Sequence, residues 1–445
     1  MSTTYWCELA WLGEGQGGVT AGVAVRVEGT HITGVEADTS PAAGWVRLPG
    51  LTVPGFANTH SHAFHRALRG RTHGDGGTFW TWRDQMYALA ERLDPDLYLD
   101  LATATFAEMA LAGVSTVGEF HYVHHTPDGR PYAEPNTMGE ALREAAAVAG
   151  VRLTLLDACY LSGGIGEHAA GVQRRFADVD VDAWVERVDA LPSTATCQIG
   201  AAVHSVRAVD PTSAAAVAAW ATTTDAPLHV HVSEQRAEND ACQAAYGCSP
   251  TALLAAHGVL GPRTSAVHCT HLTPADVALL ADTGTSVSIC PTTERDLADG
   301  VGPTGALRGA GVPLHVGTDS NAVIDPLEEI RALELDERLT SGRRGTHSPA
   351  ELLTMATAAG QASLGWDDSG RIEAGALADL TTITLGSVRL AGADQADALG
   401  SVVFAATASD VQHVVIGGEV VVRDGAHLRL DVARALDRSI RAAWS

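Results

Sequence analysis

The stretch Val53-Pro54-Gly55-Phe56-Ala57-Asn58-Thr59-His60-Ser61-His62 ends an apolar run with two histidines two residues apart. On a strand, that spacing turns both imidazoles to one face. Four more polar groups stand at or just past the ends of short apolar segments: His231 in His229-Val230-His231, Glu234 just beyond it, His268 after Ser265-Ala266-Val267, and Asp319 after Leu314-His315-Val316-Gly317. From about residue 51, such segments alternate with Ala-rich helical stretches. Strands are expected at 51–57, 114–119, 151–157, 198–203, 227–232, 264–268, 286–290 and 313–317, and helices include 96–112, 137–149, 210–222 and 274–283. This alternation implies a parallel sheet, open or closed. Closed as a (β/α)₈ barrel, it gathers the polar groups at one mouth, where that fold does its chemistry.

Working outward, the two ends of the chain resemble each other more than the middle. Residues 1–50 alternate apolar and polar positions, as in Val23-Ala24-Val25-Arg26-Val27, and β texture returns from about 370. Val411 to Val422 reads as a hairpin around Gly417-Gly418. The expected architecture is therefore α/β. A TIM-type barrel spans 51–368, and a small β-sandwich domain is formed by both termini, 1–50 and 369–445, with a terminal helix.

Composition narrows the function classes. The chain has 445 residues, 46% hydrophobic, with a formal net charge of -24 and no basic stripe, so no nucleic-acid footprint is present. An anionic substrate in so acidic a protein needs local arginines. Cysteines at 7, 159, 197, 242, 248, 269 and 290 form no C-x-x-C, which argues against a disulfide framework and fits a reducing cytosol. The N-terminal segment lacks the pattern of a signal peptide, and no apolar run reaches transmembrane length. All 29 residues counted as Lys+Arg are arginine. The lack of lysine removes Schiff-base catalysis, pyridoxal phosphate attachment and a lysine bridge between two metals.

His60 and His62 supply nitrogen ligands suited to Zn²⁺ or a similar divalent ion. His231, nearer the strand end than His229, is the expected third ligand, with His229 a hydrogen-bonded core histidine. Glu234 is placed as a proton shuttle, although a carboxylate at a helix start is favourable in its own right. His268 ends another strand. Asp319 follows Gly317-Thr318, where an N-cap is the competing reading.

Taken together, these elements resemble the amidohydrolase superfamily from about residue 1 to 440. Its deaminase branch holds one metal with H-x-H, a strand-five His and a strand-eight Asp. The resemblance thus implies one divalent ion, Zn²⁺ or else Fe²⁺, on His60, His62, His231 and Asp319, with Glu234, His268 and Asp319 as catalytic groups. Closer motifs are similar to formimidoylglutamate deiminases of histidine degradation: His60 to Ala67, Phe79-Trp80-Thr81-Trp82-Arg83, Glu119 to His125, His204 to Val209, His231 to Gln235, Val267 to Pro274 and Cys290 to Glu294. This implies a cytoplasmic homodimer acting on a small anionic substrate, with substrate contacts from Arg83, Tyr122, His204 and Arg207. His65 stands where the well-known members carry Gln, a departure that bears on substrate fit. Arginine forks suit the two carboxylates of N-formimidoyl-L-glutamate. Arg83 also reads as a stacked structural arginine among Trp80 and Trp82, and Arg207 as a surface arginine. His121, His124 and His125 are expected as a loop cluster, mostly solvated or packed behind the residues that touch substrate, with direct substrate contact the lesser alternative. The competing enzyme is another one-metal aminohydrolase acting on formimidoyl-aspartate or on a purine, pterin or triazine ring. A catalytically dead scaffold is the non-enzymatic alternative.

Overall fold

In the computed structural model, which describes residues 2–74 and 77–445, the apolar run leading to His60 is two strands rather than one. The chain opens with β1 (Ser2–Ala10), β2 (Thr20–Glu28), β3 (His31–Glu36) and β4 (Val46–Pro54); β5 (Phe56–Ser61) then begins beyond Gly55 in a different sheet. Gly55 makes the changeover possible. A Cβ there would lie 2.6 Å from Ser115 Oγ and 3.0 Å from Asp379 Cβ. The strand expected over 51–57 is corrected accordingly: periodicity in a short apolar run does not reveal a change of sheet.

The second sheet is the barrel. It continues through β6 (Val114–His121) and β7 (Arg152–Cys159). A small hairpin, β8 (Ser162–Gly164) with β9 (Glu167–His168), interrupts it before β10 (Cys197–Val203), β11 (Leu228–Val232), β12 (Thr264–His268), β13 (Ser286–Ile289) and β14 (Leu314–Val316). The eight barrel strands pair in parallel and in order, with β6 and β7 buried at every position, as a sheet covered on both faces requires. Closure runs through a bridge between Ser61 and Asp319. There Asp319 N–H donates to His60 O at 2.9 Å and His62 N–H to Asp319 O at 3.0 Å. The last joint of the barrel is thus made by the backbone of three residues singled out for their side chains.

Helices cover the outside. α1 (Phe79–Ala90), α2 (Pro95–Leu111) and α3 (Thr137–Ala149) precede β6 and β7, and the stretches expected as helical near 210–222 and 274–283 are Pro211–Thr224 and Pro274–Thr283. α2 has the starting signals of its sequence: the Asp94 side chain accepts Leu97 N–H at 2.8 Å, and Pro95 occupies the first turn, where a missing N–H is harmless. No helix among the described residues is long and apolar enough to cross a membrane.

β15 (Leu380–Ile383), β16 (Val411–Ile416), β17 (Glu419–Arg423) and β18 (Ala426–His427) return to the first sheet, in the order β18-β17-β16-β15-β4-β1-β2-β3. β4 pairs in parallel with β1 and antiparallel with β15, so both termini meet on it. The hairpin around Gly417-Gly418 is β16 and β17. A buried pair fastens this sheet to the barrel: Arg152, at the start of β7, donates to Asp379, which also accepts Gly417 N–H at 2.7 Å and Ser369 Oγ–H at 3.2 Å. The last helix, Val432–Trp444, lies against α2, and Trp444 Nε1–H donates to Ala67 O at 2.9 Å.

Candidate active site

Three imidazoles and one carboxylate converge at the C-terminal mouth. His60 Nε2 lies 3.0 Å from His231 Nε2 and 3.4 Å from Asp319 Oδ1, and His62 Nε2 lies 3.4 Å from the same oxygen. Donors bound at 2.0–2.2 Å around a tetrahedral ion stand about 3.3–3.6 Å apart. Tautomers fit the same purpose. His62 Nδ1–H donates to Phe120 O at 2.9 Å and His231 Nδ1–H to His204 O at 2.8 Å, so in the neutral rings both Nε2 lone pairs face inward. Burial holds His60 and His231 well below the usual histidine range, and lowers His62, so the rings are neutral, as ligation demands. A shared proton serves one of these contacts; a divalent cation serves all of them, and the donor set fits one.

Three positions around this cluster sit on unusual backbone. Asp319 has φ 44°, His268 φ 71° and Ser233 φ 52°, all in the left-handed region. Such φ values are uncommon outside glycine and cluster where a site is over-determined by its surroundings. Asp319 is not an N-cap; Asp325 caps the helix Pro326–Ser341.

Glu234 precedes the N-cap of the helix Arg236–Tyr246 and is 7% exposed, with Oε1 3.9 Å from His268 Nε2 and Oε2 3.8 Å from Arg207 Nη2. Burial raises its pKa. His268 also lies 3.9 Å from Asp319 Oδ2, and its Nδ1 faces Glu294 Oε1 at 3.4 Å. Burial opposes charge on this ring, but Glu234, Glu294 and Asp319 outweigh it and push the pKa to about 10. These carboxylates favour a proton on the His268 ring, whose Nε2 faces the cavity.

The cavity beside these groups has a volume of about 530 Å³, and His65, Arg83, Tyr122, His204 and Arg207 all line it. His65 Nε2 and Tyr122 Oη are 2.9 Å apart, and His65 Nδ1 is buried with no partner among the described residues. His204 packs edge-on against Tyr160, ring centroids 4.7 Å apart. The two arginines differ. Arg207 Nε–H donates to Glu238 Oε2 at 3.0 Å, so one edge of its fork is engaged within the protein. Arg83 has no carboxylate within ion-pair distance among the described residues, and lies over the rings of Trp80 (4.4 Å) and Tyr87 (5.4 Å). It is both stacked and facing the cavity, while Arg207 is half-buried in its wall rather than on the outer surface.

His229 is the core histidine expected, with Nε2–H donating to Ser363 O at 3.1 Å. The solvated reading of His121, His124 and His125 is overturned: all three are buried. His124 Nε2–H donates to Ala158 O at 2.9 Å, and His125 Nε2 lies 3.2 Å from Asp178. Arg187 spans Asp157 at 2.7 Å and Asp178 at 2.8 Å behind them. Buried polar groups find partners, and these partners come from segments remote in sequence.

Sequence reasoning also passed over Glu119 and Glu238. Glu119 Oε1 accepts Ala63 N–H at 2.6 Å and fixes the turn after His62; burial pushes its pKa up to about 8. Glu238, 1% exposed, accepts Ser233 N–H at 3.0 Å as well as Arg207, so it ties the Glu234 loop to the arginine. Its place four residues after Glu234 at the start of a helix was the signal available.

Residues 51–421 match the amidohydrolase family, and the chain belongs to that family. It is an enzyme of the kind that hydrolyses carbon–nitrogen bonds. Among its relatives, it is 37% identical to formimidoylglutamate deiminase of Pseudomonas aeruginosa over 88% of this chain and 90% of that one. It is 29% identical to a 5-methylthioadenosine/S-adenosylhomocysteine deaminase of Natronomonas pharaonis over 84% and 82%. The crystal structure of an amidohydrolase from Brucella melitensis superposes with a TM-score of 0.92 at 29% identity, covering 100% of both chains.

Proposed function

We propose that the protein deiminates N-formimidoyl-L-glutamate, giving N-formyl-L-glutamate and ammonia. The observation that carries this reading is Arg83, a cation without a carboxylate partner among the described residues, facing the same cavity as the metal-type cradle and Glu234. A neutral heterocycle leaves that charge unanswered; a substrate carboxylate answers it bidentately. The 37% identity to the Pseudomonas aeruginosa enzyme supports the same substrate.

His60, His62, His231 and Asp319 would hold one divalent ion, with Zn²⁺ the choice their nitrogen-rich set favours. When bound, such an ion supplies Lewis acidity and draws the pKa of a water toward neutrality. Glu234 takes a proton from the water as its oxygen adds to the formimidoyl carbon and delivers it to the imino nitrogen; as the tetrahedral carbon collapses, it carries the second proton from that oxygen to the same nitrogen. A carbon–oxygen bond forms, the carbon–nitrogen bond breaks, and the nitrogen leaves as ammonia. His268, its Nδ1 held by Glu294, donates from Nε2 to the oxygen on which charge develops. Arg83 and Arg207 hold the carboxylates, while His65, Tyr122 and His204 pack around the chain between them.

The test is ammonia release from N-formimidoyl-L-glutamate, N-formimidoyl-L-aspartate, 5-methylthioadenosine, S-adenosylhomocysteine and 8-oxoguanine side by side. The formimidoyl-glutamate reaction is expected to exceed the others in kcat/KM; a purine reacting faster overturns the reading. Metal content is a second expectation. The cradle has one point of convergence and no lysine serves as a bridge, so the purified protein is expected to hold about one divalent ion per chain. Elemental analysis that finds two equivalents in the active enzyme contradicts it.

A further inference from the structure

We propose that Gln173 is a positioning residue for substrate recognition, acting through the wall that carries Arg83. It lies in a short 3₁₀ turn, Gly171–Arg175, that follows the β8–β9 hairpin. Its Oε1 accepts Ala170 N–H at 3.2 Å, and this fixes which way the amide points. Its Nε2 then reaches three neighbours: Gly163 O at 3.1 Å, Tyr160 Oη at 3.2 Å and Tyr87 Oη at 3.3 Å. These belong to three separate walls of the cavity. Gly163 is in the hairpin, Tyr160 follows β7 and packs on His204, and Tyr87 is in α1 with the Arg83 guanidinium against its ring.

α1 needs such a tie. Its inner face is apolar, and the face bearing Trp80 and Arg83 looks over the cavity. At its far end, Arg175 donates to the carbonyls of Ala90 and Leu93 and, at 2.9 Å, to that of His125. A cation capping the last carbonyls of a helix is favourable in itself and anchors the helix to the barrel. Gln173, two residues before, is the corresponding contact one turn nearer the substrate. The 171–175 turn therefore grips α1 at two heights: Arg175 holds the helix, and Gln173 sets Tyr87, one of the two rings against which Arg83 lies. Room for this arrangement depends on Gly163, where a Cβ would lie 2.7 Å from Gln173 Oε1 and 2.8 Å from His168 O.

The proposal rests on the deimination reading for its substrates, and its test separates the two. Gln173→Met keeps the bulk and removes the amide; Gly163→Ala leaves Gln173 in place but crowds it. Each is expected to raise KM for N-formimidoyl-L-glutamate about tenfold, the loss of roughly one well-made hydrogen-bonded contact, with kcat within about threefold of wild type. The penalty is expected to vanish on one of two truncated compounds, N-formimidoyl-glycine or N-formimidoyl-γ-aminobutyrate, whichever lacks the carboxylate that Arg83 holds, and to persist on the other. A purely structural role would lower turnover of all three alike, and that result overturns the proposal, as does an unchanged KM. If wild-type protein turns over none of these compounds, it is the deimination reading that has failed. A crystal structure of the Gln173→Met protein then decides the positioning role: displaced Tyr87 and Arg83 side chains support it, and unmoved ones overturn it.

Discussion

Glu234→Gln is expected to keep its fold and its metal and to lose activity by a factor of roughly 10²–10⁴, the range over which a positioned proton-transfer group contributes. The geometry makes this loss specific. Glu234 stands between His268 and Arg207 at 3.9 and 3.8 Å and makes no hydrogen bond that holds up the fold; the Ser233 N–H beside it is taken by Glu238. An amide fills the same space but cannot carry a proton. The measurement is steady-state ammonia release together with elemental analysis and a thermal unfolding curve. Near-normal turnover would reduce Glu234 to a carboxylate that merely precedes a helix. Lost metal or a much lower unfolding temperature would show that the residue supports the cradle rather than the reaction.

Removing Arg83 is the second large expectation. Arg83→Met is expected to cost about 2–5 kcal/mol in kcat/KM on N-formimidoyl-L-glutamate, because a desolvated carboxylate is left without its partner. Lysine is expected to restore only part of this, since the flat fork and its stacking on Trp80 are lost. Arg83 is a cleaner probe than Arg207. Taking away Arg207 also strips Glu238, 1% exposed, of its cation, and the resulting damage would mix folding with binding. The decisive comparison is the same substitution assayed on the two mono-carboxylate compounds. A loss of equal size on every substrate would mean that Arg83 serves α1 and not the ligand, and would return the neutral-heterocycle reading to first place.

The parts of this protein that were legible in its sequence are those governed by local rules. Parallel strands buried on both faces read as short apolar runs, and β6, β7, β10, β11 and β12 lie where such runs predict them. His60 and His62 could be paired from spacing alone, because alternation on a strand is local. Gly55 was illegible as a junction: the reason for it is the crowding of Ser115 and Asp379, far along the chain. The histidines at 121, 124 and 125 misled for a similar reason. Three histidines near a loop look solvated until Asp157, Asp178 and Arg187 arrive from two other segments to bury them. Gln173 and Glu238 escaped notice because glutamine in a turn and glutamate in a first helical turn are unremarkable by type; their meaning lies in what they touch.

β4 is an interior strand whose two neighbours are made at very different times. β1 is already synthesised when β4 appears, but β15 begins at Leu380, 326 residues after Pro54 (380 − 54). At roughly 5–20 residues per second of synthesis, the open edge of β4 waits on the order of 16–65 s for its partner. Throughout that interval Leu51-Thr52-Val53, buried in the finished fold and unpaired on one side, is a template for any passing strand. A nascent chain of this protein is thus exposed to mispairing from the completion of β4 until β15 has been made. Chaperone dependence and losses to aggregates should concentrate in that window, and slow translation of the barrel segment between β4 and β15 should worsen both.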